Sequence, residues 1–300
     1  MAHGHHGHSE QKFNRSFAIA VFLNLIFTFT QAGYAIAANS MSLLADAAHN
    51  FADVLGLLFA WGANWLLTKP ASERYSYGYK RTSILAAIIN ALLLVATSAI
   101  IGYESILKLM SPEPVKEIIV IVVAAIGIAI NGGTAMLFFS GSHVDLNIKG
   151  AFLHLAADAL ISVGVVIAGI IIYFTGWNWL DPIIGLGIVV TILFGTWGLL
   201  RDSLNLLMDG VPHPICRQKV REYFAQLPNV TEVHDLHIWG LSTREIALTV
   251  HLIMPEAQLS DQDFASVQEI LKTQFNIDHI TIQVEQGSKE YPCGLATSCE

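Results

Sequence analysis

The chain has 300 residues, of which 53% are hydrophobic and only 13% charged, with a mean hydropathy of +0.53. That balance excludes an ordinary soluble enzyme and makes a membrane protein the default. A net charge of −8, with no basic stripe, argues against a nucleic-acid partner.

Residues 1–12 read as a polar tail in which His3, His5, His6 and His8 could capture divalent metal loosely, or which is only a tail. No secretory signal peptide is evident, because the opening residues carry histidines rather than a basic segment. The first span then reads as a retained anchor. No Lys or Arg occurs between Ser16 and Thr68, whereas the residues after Gly210 have the composition of a soluble domain. Two domains are expected, a membrane domain at 13–208 and a water-exposed one at 209–287, followed by a cysteine-containing tail at 288–300.

Apolar spans are predicted at 13–37, 41–67, 82–109, 116–140, 146–174 and 179–207. Each reaches the roughly 20 residues needed to cross a hydrocarbon core of about 30 Å. Six spans put both termini on one side. Lys12, Arg15, Lys69, Arg74, Lys80, Arg81 and Lys149 then share that side, against Lys108 and Lys116 on the other. The positive-inside rule assigns the richer side, with both termini, to the cytoplasm.

Two spans carry ionisable residues in matched spacing. SLLADAAHNFAD places His49 and Asp53 four residues apart, and HLAAD places His154 and Asp158 four residues apart. Positions i and i+4 share one helix face, so each pair presents a nitrogen and an oxygen in one direction. Such groups are costly at membrane depth and require a partner. Interhelical hydrogen bonds, such as His49 to Asp158, are one solution. A divalent cation held by two imidazoles and two carboxylates is the other, and two matched pairs favour it; the set suits tetrahedral Zn²⁺. If the two helices pack antiparallel, His49 lies level with Asp158 and Asp53 level with His154. Asp46 shares this face as an outer relay or an acceptor for an imidazole N–H, or is merely a residue of the helix start. Asn50 supports the site or packs between helices. Gly164, Gly169, Gly185, Gly187 and Gly195 allow close helix approach in the last two spans.

Beyond Gly210 the pattern predicts a helix over 214–227, strands over 230–239 and 245–254, a helix over 260–275 and a strand over 279–285. This αββαβ order implies a small α+β domain with helices on one face of a sheet. Cys216, Cys293 and Cys299 lie outside the apolar spans, and an odd count suits a reduced, cytosolic face. No GxxxxGK[ST] phosphate loop and no HExxH zinc-peptidase motif is present. Any transport is therefore expected to run on an ion gradient, and the chain is not expected to be an enzyme.

SLLADAAHNFAD, KGAFLHLAADALISVGVV, NLLMDGVP, and VHDLHIWGLS followed by LTVHL together resemble the cation diffusion facilitator family in its zinc-exporting branch, from Phe13 to about Glu285. The resemblance implies a bacterial inner-membrane homodimer of six-span protomers with a cytosolic ferredoxin-like domain, exchanging Zn²⁺ for H⁺. It assigns His49, Asp53, His154 and Asp158 to the transport site. It assigns His234, His251 and Glu285 to a regulatory zinc site, completed by Cys293, Cys299 or a histidine of the tail. Gln283 stands where some relatives carry histidine, and Ala265 falls near a second such position. His237 reads as a packing residue, since strand alternation turns it away from His234. The resemblance also pairs Arg81, with Lys80 as a substitute, with Asp209 in a charge interlock. It implies no metal site in the loop from Ser72 to Tyr79, which lacks His and Cys. Export of Co²⁺, Cd²⁺ or Ni²⁺, or a membrane zinc sensor without flux, are the alternatives. An intramembrane metallohydrolase ranks last, for want of an open coordination position and a general base.

Overall fold

A computed structural model of the chain describes residues 7–139, 146–255, 259–288 and 293. Six long helices open the chain: α1 (Gly7–Ala38), α2 (Met41–Leu67), α3 (Thr82–Met110), α4 (Glu117–Phe139), α5 (Leu146–Thr175) and α6 (Leu180–Leu207). Among the described residues, five of them, α2 to α6, are long and apolar enough to cross a membrane. Their ends fall within a residue or two of the breaks in the hydropathy pattern, where Asn39, Gly176 and the Pro-containing loops cannot continue a helix. His3, His5 and His6 lie outside the described residues, as does Cys299; His8 falls within α1, with its side chain outside the description.

The chain divides into two units, one of Met1–Leu58 with Asn90–Trp197 and the other of Phe59–Ile89 with Gly198–Glu300. In the first, Phe27, Leu43, Ala52, Leu94, Val120, Ala124, Val165 and Ile188 form the core between helices. Small residues set the closest approaches. A Cβ added at Gly185 would lie 3.1 Å from the backbone of Met41, and one at Gly169 would lie 2.8 Å from Ile121. Among the described residues, a Cβ added at Gly164, Gly187 or Gly195 would meet nothing within 4 Å, so no close helix approach is seen at these three.

The N-terminus of α2 is capped from another helix. Asp181, buried at the start of α6, accepts hydrogen bonds from the backbone N–H of Met41 at 2.5 Å and of Ser42 at 3.3 Å, and from the hydroxyls of Ser40 at 2.6 Å and Ser42 at 2.5 Å. A carboxylate at a helix N-terminus meets both the orphan N–H groups and the positive end of the helix dipole.

The second unit contains α7 (Arg217–Ala225), β1 (Glu232–Gly240), β2 (Ile246–Ile253), α8 (Asp261–Phe275) and β3 (His279–Glu285). The αββαβ order is therefore the observed one. β2 is the central strand, antiparallel to β1 and parallel to β3. Leu248, Val250 and Leu252 of β2 pack with Val220 and Phe224 of α7 and Val267 and Leu271 of α8. Alternation turns Thr249 and His251 to the other face of the sheet.

The same unit contains the α2–α3 loop. Arg81 Nη2 pairs with Asp209 Oδ1 at 2.5 Å, and Lys80 pairs with Glu245. The two basic residues thus have separate partners.

Candidate metal centres

Antiparallel packing of α2 and α5 brings His49, Asp53, His154 and Asp158 into one cluster. His49 Nε2 lies 3.4 Å from Asp158 Oδ1 and 3.7 Å from Asp53 Oδ2. His154 Nε2 lies 3.2 Å from Asp53 Oδ2 and 3.6 Å from Asp158 Oδ2. Ligands held about 2.05 Å from one tetrahedral ion are separated by roughly 3.3 Å. The four His-Asp spacings bracket that value, whereas most exceed a good hydrogen bond; approach within 4.8 Å of one another is met by donor atoms of His49, Asp53 and Asp158, a group that does not include His154. Asp53 Oδ2 is buried among these ring nitrogens, and the other ring nitrogen of His49, Nδ1, is buried without a hydrogen-bond partner among the described residues.

Asp46 is not an imidazole acceptor. Its Oδ2 takes hydrogen bonds from Gln31 Nε2 at 2.6 Å and Ser162 Oγ at 3.2 Å. Asn50 Nδ2 reaches Gln31 Oε1 at 3.4 Å. Gln31 was not singled out by sequence reasoning, although a glutamine in an otherwise apolar span is itself a signal.

A second cluster sits on the sheet face opposite the helices. His234 and His251 are cross-strand partners, and His251 is level with Gln283 on β3. Glu285 lies two residues further along the same face. His251 Nδ1 is 2.8 Å from Glu285 Oε1 and 3.6 Å from Cys293 Sγ, and His234 Nε2 is 3.5 Å from Glu285 Oε2. One donor atom from each of His234, His251, Glu285 and Cys293 falls within 4.8 Å of all the others. Among the described residues, neither ring nitrogen of buried His234 has a hydrogen-bond partner, and the donor set fits a borderline divalent ion such as Zn²⁺. Gln283 contributes no imidazole; its amide donates to Glu285 Oε1 at 2.9 Å.

The strand alternation that was to turn His237 away fails at a β-bulge. Three steps on β1, from His234 to His237, match two on β2, from His251 to Thr249. The extra residue restores His237 to the face of His234 and His251. His237 is half exposed rather than packed, with Nε2 2.9 Å from Asp235 Oδ1. Asp235 adopts a left-handed conformation, φ 49°, and its other oxygen lies 3.4 Å from His251 Nε2. It thereby holds the ring nitrogen of His251 opposite the one facing Glu285 and Cys293. This carboxylate was missed, because a bulge leaves no trace in hydropathy; the Asp in mid-strand is the only hint.

Comparison with known proteins places both clusters in context. Residues 17–208 match the cation efflux transmembrane domain, and residues 212–287 match the cation efflux protein cytoplasmic domain. The chain is 37% identical to a cation efflux system protein, CzcD, of Alcaligenes sp., over its whole length and 92% of that protein. It is 34% identical to the zinc transporter ZitB of Escherichia coli, over 82% of the chain and 79% of the relative. A cadmium, cobalt and zinc/H(+)-K(+) antiporter of Bacillus subtilis is 31% identical, over 93% of the chain and 91% of the relative.

Proposed function

The chain belongs to the cation diffusion facilitator family of cation efflux proteins, and on that premise we propose that it exports Zn²⁺ from the cytoplasm in exchange for H⁺. It is a multi-pass membrane transporter for divalent cations and not an enzyme. The cargo binds between His49, Asp53, His154 and Asp158. The observation that carries this reading is the cross-pairing of two His-Asp pairs at the ligand spacing of a tetrahedral ion.

The protein is a homodimer in the bacterial inner membrane with both termini cytosolic, the orientation supported by the excess of Lys and Arg in the inner loops. Zinc enters from the cytoplasm, the helices rock, and protons compete for the ligands on the outer side. Binding requires neutral imidazole and ionised carboxylate, so affinity falls with acidity and a more acidic exterior favours release. Imidazole, with an unperturbed pKa of about 6.5, is the ligand most readily protonated there. Zinc held by His234, His251, Glu285 and Cys293 regulates export, with Asp235 fixing the orientation of His251. Arg81 and Asp209 act as a charge interlock, and the histidines of the tail deliver metal.

A broader cargo is the second reading, favoured by the Bacillus subtilis relative named for cadmium and cobalt as well as zinc. Zinc flux in proteoliposomes under an imposed pH gradient tests the proposal, with Co²⁺ and Cd²⁺ in parallel. Flux that follows the gradient in wild type and vanishes in Asp158→Ala is expected. Wild type that binds zinc but moves none in either gradient direction would overturn it in favour of a sensor.

A further inference from the structure

The four candidate ligands are unequally shielded, and the shielding is graded along the α2–α5 pair. His49 and Asp158, which lie level, have side chains 16% and 4% exposed. Asp53 and His154, level with each other one turn further along α2, are 26% and 48% exposed. In the other direction come Asp46, three residues before His49, and Ser162, four after Asp158, and both are fully buried. Because the helices are antiparallel, Asp46 and Ser162 flank the cluster on the same side, about 4.5 and 6 Å along the axis. Exposed imidazole and carboxylate within a membrane span call for water rather than lipid. The cluster is therefore reached from its Asp53–His154 end and shut at its Asp46–Ser162 end.

The shut end is tied across three helices. Gln31 of α1, itself fully buried, donates from Nε2 to Asp46 Oδ2 of α2 at 2.6 Å. Ser162 Oγ of α5 donates to the same oxygen at 3.2 Å. The other end of the Gln31 amide, Oε1, accepts from Asn50 Nδ2 at 3.4 Å. A fourth helix completes the seal: a Cβ added at Gly127 of α4 would lie 3.0 Å from Phe27 Cζ, one turn before Gln31, and 3.2 Å from Ser162 Oγ. Parting these buried bonds leaves several polar groups unsatisfied until water enters, so this end opens as a unit or stays shut.

We propose, resting on the transport-site reading above, that Gln31, Asp46 and Ser162 form the clasp that bars ions from the four-ligand cluster on one side and that must part before the cargo leaves there. In the proposed orientation the clasp lies on the outward side, and the arrangement described is the one that loads zinc from the cytoplasm. Asp46 shares α2 with His49, and Ser162 shares α5 with Asp158. Once the clasp parts, α2 and α5 are free to spread His49 from Asp158, so the exit opens and the ligand set loosens in one movement.

The test ties the clasp shut in the full chain. An Asp46→Cys, Ser162→Cys double variant is joined by a short bifunctional methanethiosulfonate, with each single variant, which carries the same native cysteines, as control. Zinc flux is read in proteoliposomes under an imposed pH gradient. Zinc binding is read with His234→Ala and His251→Ala added, so that the membrane cluster alone is counted. The tied protein should bind zinc within about tenfold of its reduced form, yet move none, and reduction should restore flux; the single variants should not respond to the reagent. Flux in the tied protein equal to that of its reduced form overturns the inference. So does loss of zinc binding on tying, since the clasp side would then be the entrance. Should the double variant not insert, Gln31→Ala removes the central donor, and hydroxyl-radical labelling of Phe27 should rise several-fold; unchanged labelling is equally fatal. Wild type that moves no zinc overturns the transport reading and the clasp with it, whereas wild-type flux beside undiminished flux in the tied variant overturns the clasp alone.

Discussion

His154 Nε2 stands closer to Asp53 Oδ2 on the neighbouring helix, at 3.2 Å, than to Asp158 Oδ2 on its own, at 3.6 Å. The cluster is thus held between helices rather than within them. His154→Ala and Asp53→Ala should each weaken zinc binding by more than about 100-fold, beyond the loss usual for an outer-shell partner. The double variant should lose little more, because a site already broken has little left to lose. Fully additive losses, measured by competition with a chelating dye, would mean that the two residues bind separate ions.

Asp235 makes a different prediction. Asp235→Asn keeps the shape but removes the charge that faces His251 Nε2. Affinity of the cytosolic cluster should fall by about 10–100-fold. Zinc binding by the membrane cluster, measured in a Glu285→Ala background, should not respond to the same change.

The Asp181 cap is a matter of stability. Asp181→Ala strands two backbone N–H groups and two hydroxyls at the start of α2. Losing hydrogen bonds to a charged group costs about 1.5–3 kcal/mol each. A clear drop in the thermal midpoint of the detergent-solubilised protein is expected, with Asp181→Asn intermediate. A midpoint within error of wild type would mean that water replaces the carboxylate.

The pH response of α8 follows from its capping box. The side-chain hydroxyl of Ser260, and then its backbone N–H, hold the carboxyl of Asp263 below its usual range. A depressed carboxylate stabilises the fold above its unfolded pKa, near 3.9 for Asp, and that contribution is lost as the pH falls through the lower folded value. Amide exchange in α8 should therefore be faster in Asp263→Ala than in wild type near neutrality, with the difference shrinking as acid protonates Asp263. A difference independent of pH would assign the effect to helix propensity alone.

Much of this architecture is legible in the sequence because hydrophobic periodicity is a direct record of burial. It is why α2 at Met41–Leu67 and β3 at His279–Glu285 fall where the pattern put them. The His-Asp spacings are legible for the same reason, since four residues make one helix face. What escaped is the backbone exception and the distant partner. The left-handed Asp235 reverses strand parity without altering composition. Gln31 and Asp181 meet their partners across 15 and about 140 positions of sequence, and no local pattern reports a contact of that range.

The bond network at the start of α2 also sets how that helix can move. Gly185 lets α6 come against Met41, and Asp181 grips Met41 and Ser42, so the N-terminal end of α2 is pinned to the N-terminal end of α6. A rod pinned at one end is a lever. At 1.5 Å per residue, His49 lies about 12 Å from the pin. A tilt of about 5° would then carry His49 roughly 1 Å, enough to break a tetrahedral ligand set.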